Sequence, residues 1–147
     1  MLTKNHRYLV GIDTGTVTGF AEWSRSTKRL IAVESLKIHQ AMTHVKGLHS
    51  LHGSELFVRL EDARLRTWVP RYASESRERG RREGAGSIKR DASIWEDFLT
   101  DIGVEFELVA PMRNKTKVTA GYFASLTGWI KPTNEHGRDA AMLVYGY

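Results

Sequence analysis

The sequence predicts an α/β fold: a mixed five-stranded sheet, built from a three-strand antiparallel meander and two parallel strands, with helices on both faces. Three observations lead there. Two dense apolar runs, Tyr8 to Ile12 and Leu56 to Leu60, read as central strands, and each ends in acids. Strand-like segments separated by short polar turns follow the first run, which is the spacing of hairpins. After the second run, helical and strand-like patterns alternate, as right-handed crossovers between parallel strands require.

In Tyr8, Leu9, Val10 and Ile12 the apolar run is nearly continuous, as burial on both faces demands, and Asp13 lies at its C-terminal end. Beyond Thr14-Gly15-Thr16, the chain reads as a second strand over Val17 to Arg25. The polar turn Ser26-Thr27-Lys28 leads to a third over Leu30 to Leu36. Ile38, Ala41, Met42, Val45, Leu48 and Leu51 recur at helical spacing, and Gly53 is placed to stop that helix. The next strand ends in Glu61 and Asp62.

From Arg71 to Arg90, seven basic residues stand against three acidic ones with Gly80, Gly84 and Gly86 interspersed, and the segment reads as a basic, mobile connection. Ile88, Ala92, Trp95, Phe98, Leu99 and Ile102 mark a helix ended by Gly103, with Trp95 and Phe98 as core residues. Val104, Phe106 and Leu108 alternate with Glu105 and Glu107 in a fifth strand, stopped at Pro111. A short helix over Lys117 to Leu126 closes near Gly128. The last helix begins at Asn134, a suitable N-cap, and offers Ala140, Leu143, Val144 and Tyr147 to the sheet. Crossovers make the fourth and fifth strands parallel to the first. Asp13 and the pair Glu61-Asp62 then emerge at one edge.

A chain of 147 residues is near the commonest size for one domain, so residues 1–147 are expected to form a single one. No apolar run approaches the roughly 20 residues that span a bilayer, and Met1 to Tyr8 lacks the apolar core of a secretion signal. No membrane partner is expected. Without cysteine there can be no disulfide, thiolate zinc site or cysteine nucleophile, which is compatible with a reducing cytosol. The formal charge of +5 and pI near 9.6 suggest a polyanionic partner.

On a helix starting at Asn134, His136 and Asp139 are three apart and share a face. Packed across the strand ends, that helix lets them converge with Asp13 and one acid of the second run; register decides whether Glu61 or Asp62 faces the site. Carboxylates and an imidazole without thiol suit Mg²⁺ or Mn²⁺. Phosphodiester hydrolysis must activate water, neutralise charge on phosphorus and stabilise a leaving oxyanion. A pair of ions about 4 Å apart serves all three needs. Each acid also has a plainer reading: Asp13 as a turn cap, Glu61 as a surface partner of Arg64.

These residues carry a family resemblance. GIDTGTVTGFAEW, RLEDAR, the Gly-rich basic segment opening a helix (GAGSIKRDASIWEDFL), VEFELVAP before a basic stretch, and HGRDAA occur in the order found in the RuvC family of Holliday junction resolvases. That family lies in the RNase H-like superfamily, and the chain resembles its compact phage-type members. The resemblance implies an RNase H-like fold and a metal-dependent endonuclease, acting as a homodimer, that places symmetric nicks in four-way DNA junctions. It implies two Mg²⁺ or Mn²⁺ ions per site, with Asp13, Glu61, His136 and Asp139 as catalytic and metal-binding residues, His136 either as a ligand of the second ion or as the group that handles the proton of the attacking water. It, and not spacing, selects Glu61 over Asp62. A cytoplasmic location follows, the host's cytoplasm for a phage protein.

The segment from Trp68 to Gly84 departs from the family pattern. Candidate DNA contacts are Trp68, which can stack on an unpaired base, together with Arg71, Arg77, Arg79, Arg81, Arg82 and Lys89, and beyond the fifth strand Arg113, Lys115 and Lys117. GIDTGT also resembles the phosphate loop of actin-like ATPases and sugar kinases. Those clamp a nucleotide between two domains and repeat the loop, which this chain does not, so no nucleotide cofactor is expected. The competing functions are another RNase H-like nuclease, cutting RNA/DNA hybrid or ribosomal RNA precursor, and a non-catalytic junction-binding module.

Overall fold

Strand β1 (Tyr8–Asp13) lies at the centre of the sheet, which the computed structural model describes along with the rest of residues 1–67, 75–112 and 117–147. On one side of it, β2 (Val17–Ser24) pairs antiparallel and β3 (Arg29–Lys37) pairs antiparallel with β2. On its other side, β4 (Leu56–Glu61) runs parallel to β1, and β5 (Glu105–Val109) parallel to β4. The order β3-β2-β1-β4-β5 is the predicted meander with two parallel additions.

Because β1 is covered on both faces, its alternate residues enter different cores. Leu9 joins Ala21, Trp23 and Phe57 under α3 (Ala120–Thr127) and α4 (Glu135–Met142). Val10 and Ile12 join Phe20, Val58 and Leu60 under α1 (Ile38–His52) and α2 (Glu75–Ile102). Two helices on each face explain why the two central runs contain almost no polar residues. Among the described residues no helix is long and apolar enough to cross a membrane.

The structure corrects three expectations. The basic stretch is not a mobile connection from residue 75 onward: α2 begins at Glu75 and runs 28 residues. Its glycines Gly80, Gly84 and Gly86 meet nothing within 4 Å, so they weaken the helix by roughly 1 kcal/mol each without breaking it. Propagation from the buried Ala92-Trp95-Leu99 half, helped by the Arg79 to Glu83 pair one turn apart, carries the helix through. Leu51 ends α1 74% exposed, beyond the reach of the core. Tyr147 lies past α4 and 52% exposed, its ring beneath the Arg59 guanidinium rather than against the sheet.

Helix α4 touches the sheet through glycine. A Cβ added at Gly11 would lie 2.1 Å from the carbonyl oxygen of Ala140, and one at Gly19 would lie 2.0 Å from that of His136. Main chain therefore packs on main chain, and no side chain can yield. Elsewhere on the sheet Glu22, 7% exposed, faces burial that pushes its carboxyl above the ordinary range, with nearby His44 pulling the other way.

Two measurements check this account. In urea unfolding, Gly11→Ala should lose at least about 2 kcal/mol, because helix and strand must separate, whereas Gly47→Ala, in open space on α1, should gain roughly 0.5–1 kcal/mol. A raised folded-state value for Glu22 means that its favourable contribution is complete below the ordinary carboxylate range and is lost as pH rises through the folded value. Glu22→Gln should accordingly be more stable than the parent at pH 7, with the difference closing below about pH 4; a gap independent of pH would contradict it.

Candidate active site

Parallel pairing of β1 with β4 places Ile12 opposite Leu60, so the next residues, Asp13 and Glu61, end neighbouring strands at the same edge. The turn after β1 ties these ends together: the Thr14 hydroxyl donates to the Glu61 carbonyl at 3.2 Å. Thr18 closes the other side of the turn by donating to the Gly15 carbonyl at 3.1 Å. Both hydroxyls are engaged within the protein, as suits a turn that reverses the chain.

Helix α4 brings the third element. Asn134 caps it, its Oδ1 accepting from the Gly137 amide at 3.0 Å. Gly137 lets this first turn settle on β3, where an added Cβ would lie 3.1 Å from the Glu34 carbonyl oxygen. Gly19, the β2 partner of Asp13, receives the His136 main chain directly above it. The His136 Nδ1 consequently stands 3.3 Å from Asp13 Oδ2, with side-chain exposures of 40% and 13%. Asp139 follows one turn later on the same helix, immediately before the buried Ala140.

Two of the four predicted site residues are thus in contact, Asp13 with His136. Glu61 ends the adjoining strand, and Asp139 shares the helix with His136. Among the described residues no three of His, Asp and Glu are gathered into a group that could hold a metal ion. The donor chemistry, carboxylate oxygens with one imidazole, nonetheless fits a hard divalent cation.

The choice between Glu61 and Asp62 has a structural counterpart. Asp62 is 1% exposed and accepts from Arg64 Nε at 2.9 Å and from its terminal nitrogen at 2.7 Å. The same nitrogen reaches Glu96 on α2, and these bonds, Asp62 first, raise the guanidinium further above its ordinary value. Arg64 therefore pairs with Asp62, not Glu61, and Asp62 is a fastener between the end of β4 and α2. Glu61 remains the half-buried acid of the edge.

Of the predicted DNA contacts, Arg77, Arg79, Arg82 and Lys89 lie exposed on α2. Arg81 belongs to α2 by its backbone, and its side chain is outside those described, while Trp68, Arg71, Arg113 and Lys115 lie outside the described residues altogether. Lys117 is paired with Glu135 at 2.8 Å, which holds that carboxyl below its ordinary range. One residue of the region escaped sequence reasoning: Arg138, whose guanidinium reaches Val118 and Thr133. Its place between His136 and Asp139 was the only signal.

No protein-family profile and no curated protein matches the chain. Among solved structures the fold is similar to that of T. thermophilus RuvC in complex with Holliday junction substrate, at a TM-score of 0.63 and 17% identity over 94% of this chain and 90% of that one. The likeness establishes the RNase H-like fold.

The Asp62-Arg64 pair yields a prediction. Arg64→Met strands a buried carboxylate and should destabilise the protein by about 1–3 kcal/mol at neutral pH. Adding Asp62→Asn should recover part of that loss in a double-mutant cycle read by urea unfolding; strictly additive effects would refute the coupling.

Proposed function

We propose that the chain is a metal-dependent, structure-selective endodeoxyribonuclease that resolves four-way DNA junctions by paired symmetric nicks. The observation that carries the reading is the Asp13 to His136 contact at the edge where β1 and β4 both end in acids, on a fold shared with a protein solved on a Holliday junction. Two-fold symmetry of the junction and one site per chain call for a homodimer. A cytoplasmic setting, the host's if the protein is phage-encoded, completes the proposal.

On this reading Asp13, Glu61 and Asp139 would hold Mg²⁺ or Mn²⁺, and the one free nitrogen of His136 would serve either as a further ligand or as a proton acceptor. The bound ions supply Lewis acidity and lower the pKa of water. The chain's own groups do the rest. Asp13 faces Nδ1 of His136, so when that nitrogen carries the proton the imidazole is oriented by the carboxylate and Nε2 is left as acceptor. His136, partly exposed, is then suited to take the proton of an attacking water. The exposed cations of α2 bind backbone phosphates and fix the register of the duplex arms. A nuclease acting on RNA/DNA hybrid would share the same edge, and substrate comparison separates the two.

The test is incubation of labelled four-way junction, linear duplex and RNA/DNA hybrid with the protein in Mg²⁺, Mn²⁺ or EDTA. Junction-selective, EDTA-sensitive nicking is expected, abolished in Asp13→Asn with junction binding retained, and reduced by about 10²-fold or more in His136→Gln. Equal cutting of hybrid and junction would sink the resolvase reading, and a strict monomer at working concentration would count against paired nicking.

A further inference from the structure

We infer that Arg138 is a positioning residue of the proposed site: it fastens the helix that carries His136 and Asp139 to the segment following β5. Its catalytic meaning rests on the nuclease reading; its structural half rests on geometry alone.

Arg138 Nε donates to the Val118 carbonyl at 2.7 Å, and one terminal nitrogen donates to the Thr133 carbonyl at 2.9 Å and to the Thr133 hydroxyl at 3.0 Å. One planar guanidinium thereby holds two separate stretches of chain against the first turns of α4. A lysine has the charge but not the fork, and cannot span both partners in fixed geometry.

What Arg138 grips is itself anchored. Thr119, next to Val118, caps α3: its hydroxyl accepts from the Tyr122 amide at 3.2 Å and its carbonyl from the Phe123 amide at 2.9 Å. Phe123 is 1% exposed, in the core shared with Ala140 and Ala141. Motion of the 117–119 segment is therefore referred to the core, and through Arg138 to α4. The Lys117 to Glu135 pair adds a second, more exposed link between the same two pieces.

The site is sensitive to this linkage. At 3.3 Å the His136 to Asp13 contact is near the outer limit of a hydrogen bond, so a small slide of α4 decides whether it exists. A misplacement of about 1 Å can reduce turnover by about 10²-fold. Arg138 acts before chemistry, by fixing where the imidazole stands.

The test compares Arg138→Met, Arg138→Lys and the milder Thr133→Val with the parent. Three readouts are used: single-turnover nicking of a four-way junction, junction affinity in EDTA, and hydrogen exchange over residues 117–123 and 135–142. Arg138→Met should lower the nicking rate by about 10- to 100-fold with affinity within about twofold. Lysine should restore part of the rate, and Thr133→Val should fall between. Exchange should quicken over both segments while β1 and β4 keep their protection. A loss carried by affinity alone, or unaltered exchange in every variant, would overturn the inference. Should Arg138→Met fail to fold, the lysine and Thr133→Val variants carry the same comparison. A parent protein that nicks no junction would end the nuclease reading, and the exchange measurement would still decide whether Arg138 fastens α4.

Discussion

The candidate site depends on how closely α4 lies on the sheet. At Gly11 and Gly19 the helix carbonyls of Ala140 and His136 occupy the space where a Cβ would stand, and the buried Ala140 and Ala141 keep the helix's own side of the contact thin. A short side chain can then bridge residues 123 positions apart, which is how His136 reaches Asp13. A larger residue at either glycine would lift the helix and carry the imidazole away from the carboxylate. Packing and chemistry are one constraint here, because the same contact buries the core face of α4 and sets the distance within the site.

Arginine holds that arrangement at several points. Arg59, on the internal strand β4, donates to the Leu143 carbonyl at the end of α4 at 2.6 Å and also pairs with Glu107 on β5. Arg138 grips the other end of the helix, Arg64 joins β4 to α2, and Arg25 donates to the carbonyls of Thr3 and His6. Main-chain carbonyls at helix and strand ends need donors, and a guanidinium supplies several from one side chain. The net charge of +5 consequently overstates what is offered to a polyanion. The cations in exposed positions on α2 contribute to that surface; those built into the core of the site do not.

Much of the fold was legible because its signals are local or periodic. The runs ending at Asp13 and Glu61 are buried on both faces and read as strands from composition alone, and the caps Asn134 and Gly128 mark helix ends where they were expected. The failures have a common cause in tertiary context. Glycines in residues 80–86 look like a helix breaker until the buried half of α2 is seen to propagate through them. Leu51 and Tyr147 keep the correct spacing for a core face but fall past the end of what the sheet covers. Within the site, adjacent Glu61 and Asp62 point to different tasks, and only the position of Arg64 separates them. Arg138 was invisible for the same reason: two of its three acceptors are backbone carbonyls, which carry no sequence signature.

An acidic edge on a basic chain poses an electrostatic problem for the proposed substrate. Asp13, Glu61 and Asp139 belong to elements that meet at one edge, where a phosphodiester would be repelled at short range unless a cation intervened. Among the described residues, exposed cations stand at the end of β3 and just beyond β4, Lys37 and Arg66, and on α2, Arg77, Arg79, Arg82 and Lys89, while Lys117 is engaged by Glu135. On the proposed reading monovalent side-chain charge and bound divalent ions have different tasks. The phosphates of the junction arms are held at α2 by charge that salt can screen, while the scissile phosphate can be tolerated among carboxylates only when divalent ions are bound. Binding and cutting then draw on different electrostatic sources. On that reading, loss of a carboxylate at the edge removes the reaction while leaving affinity intact.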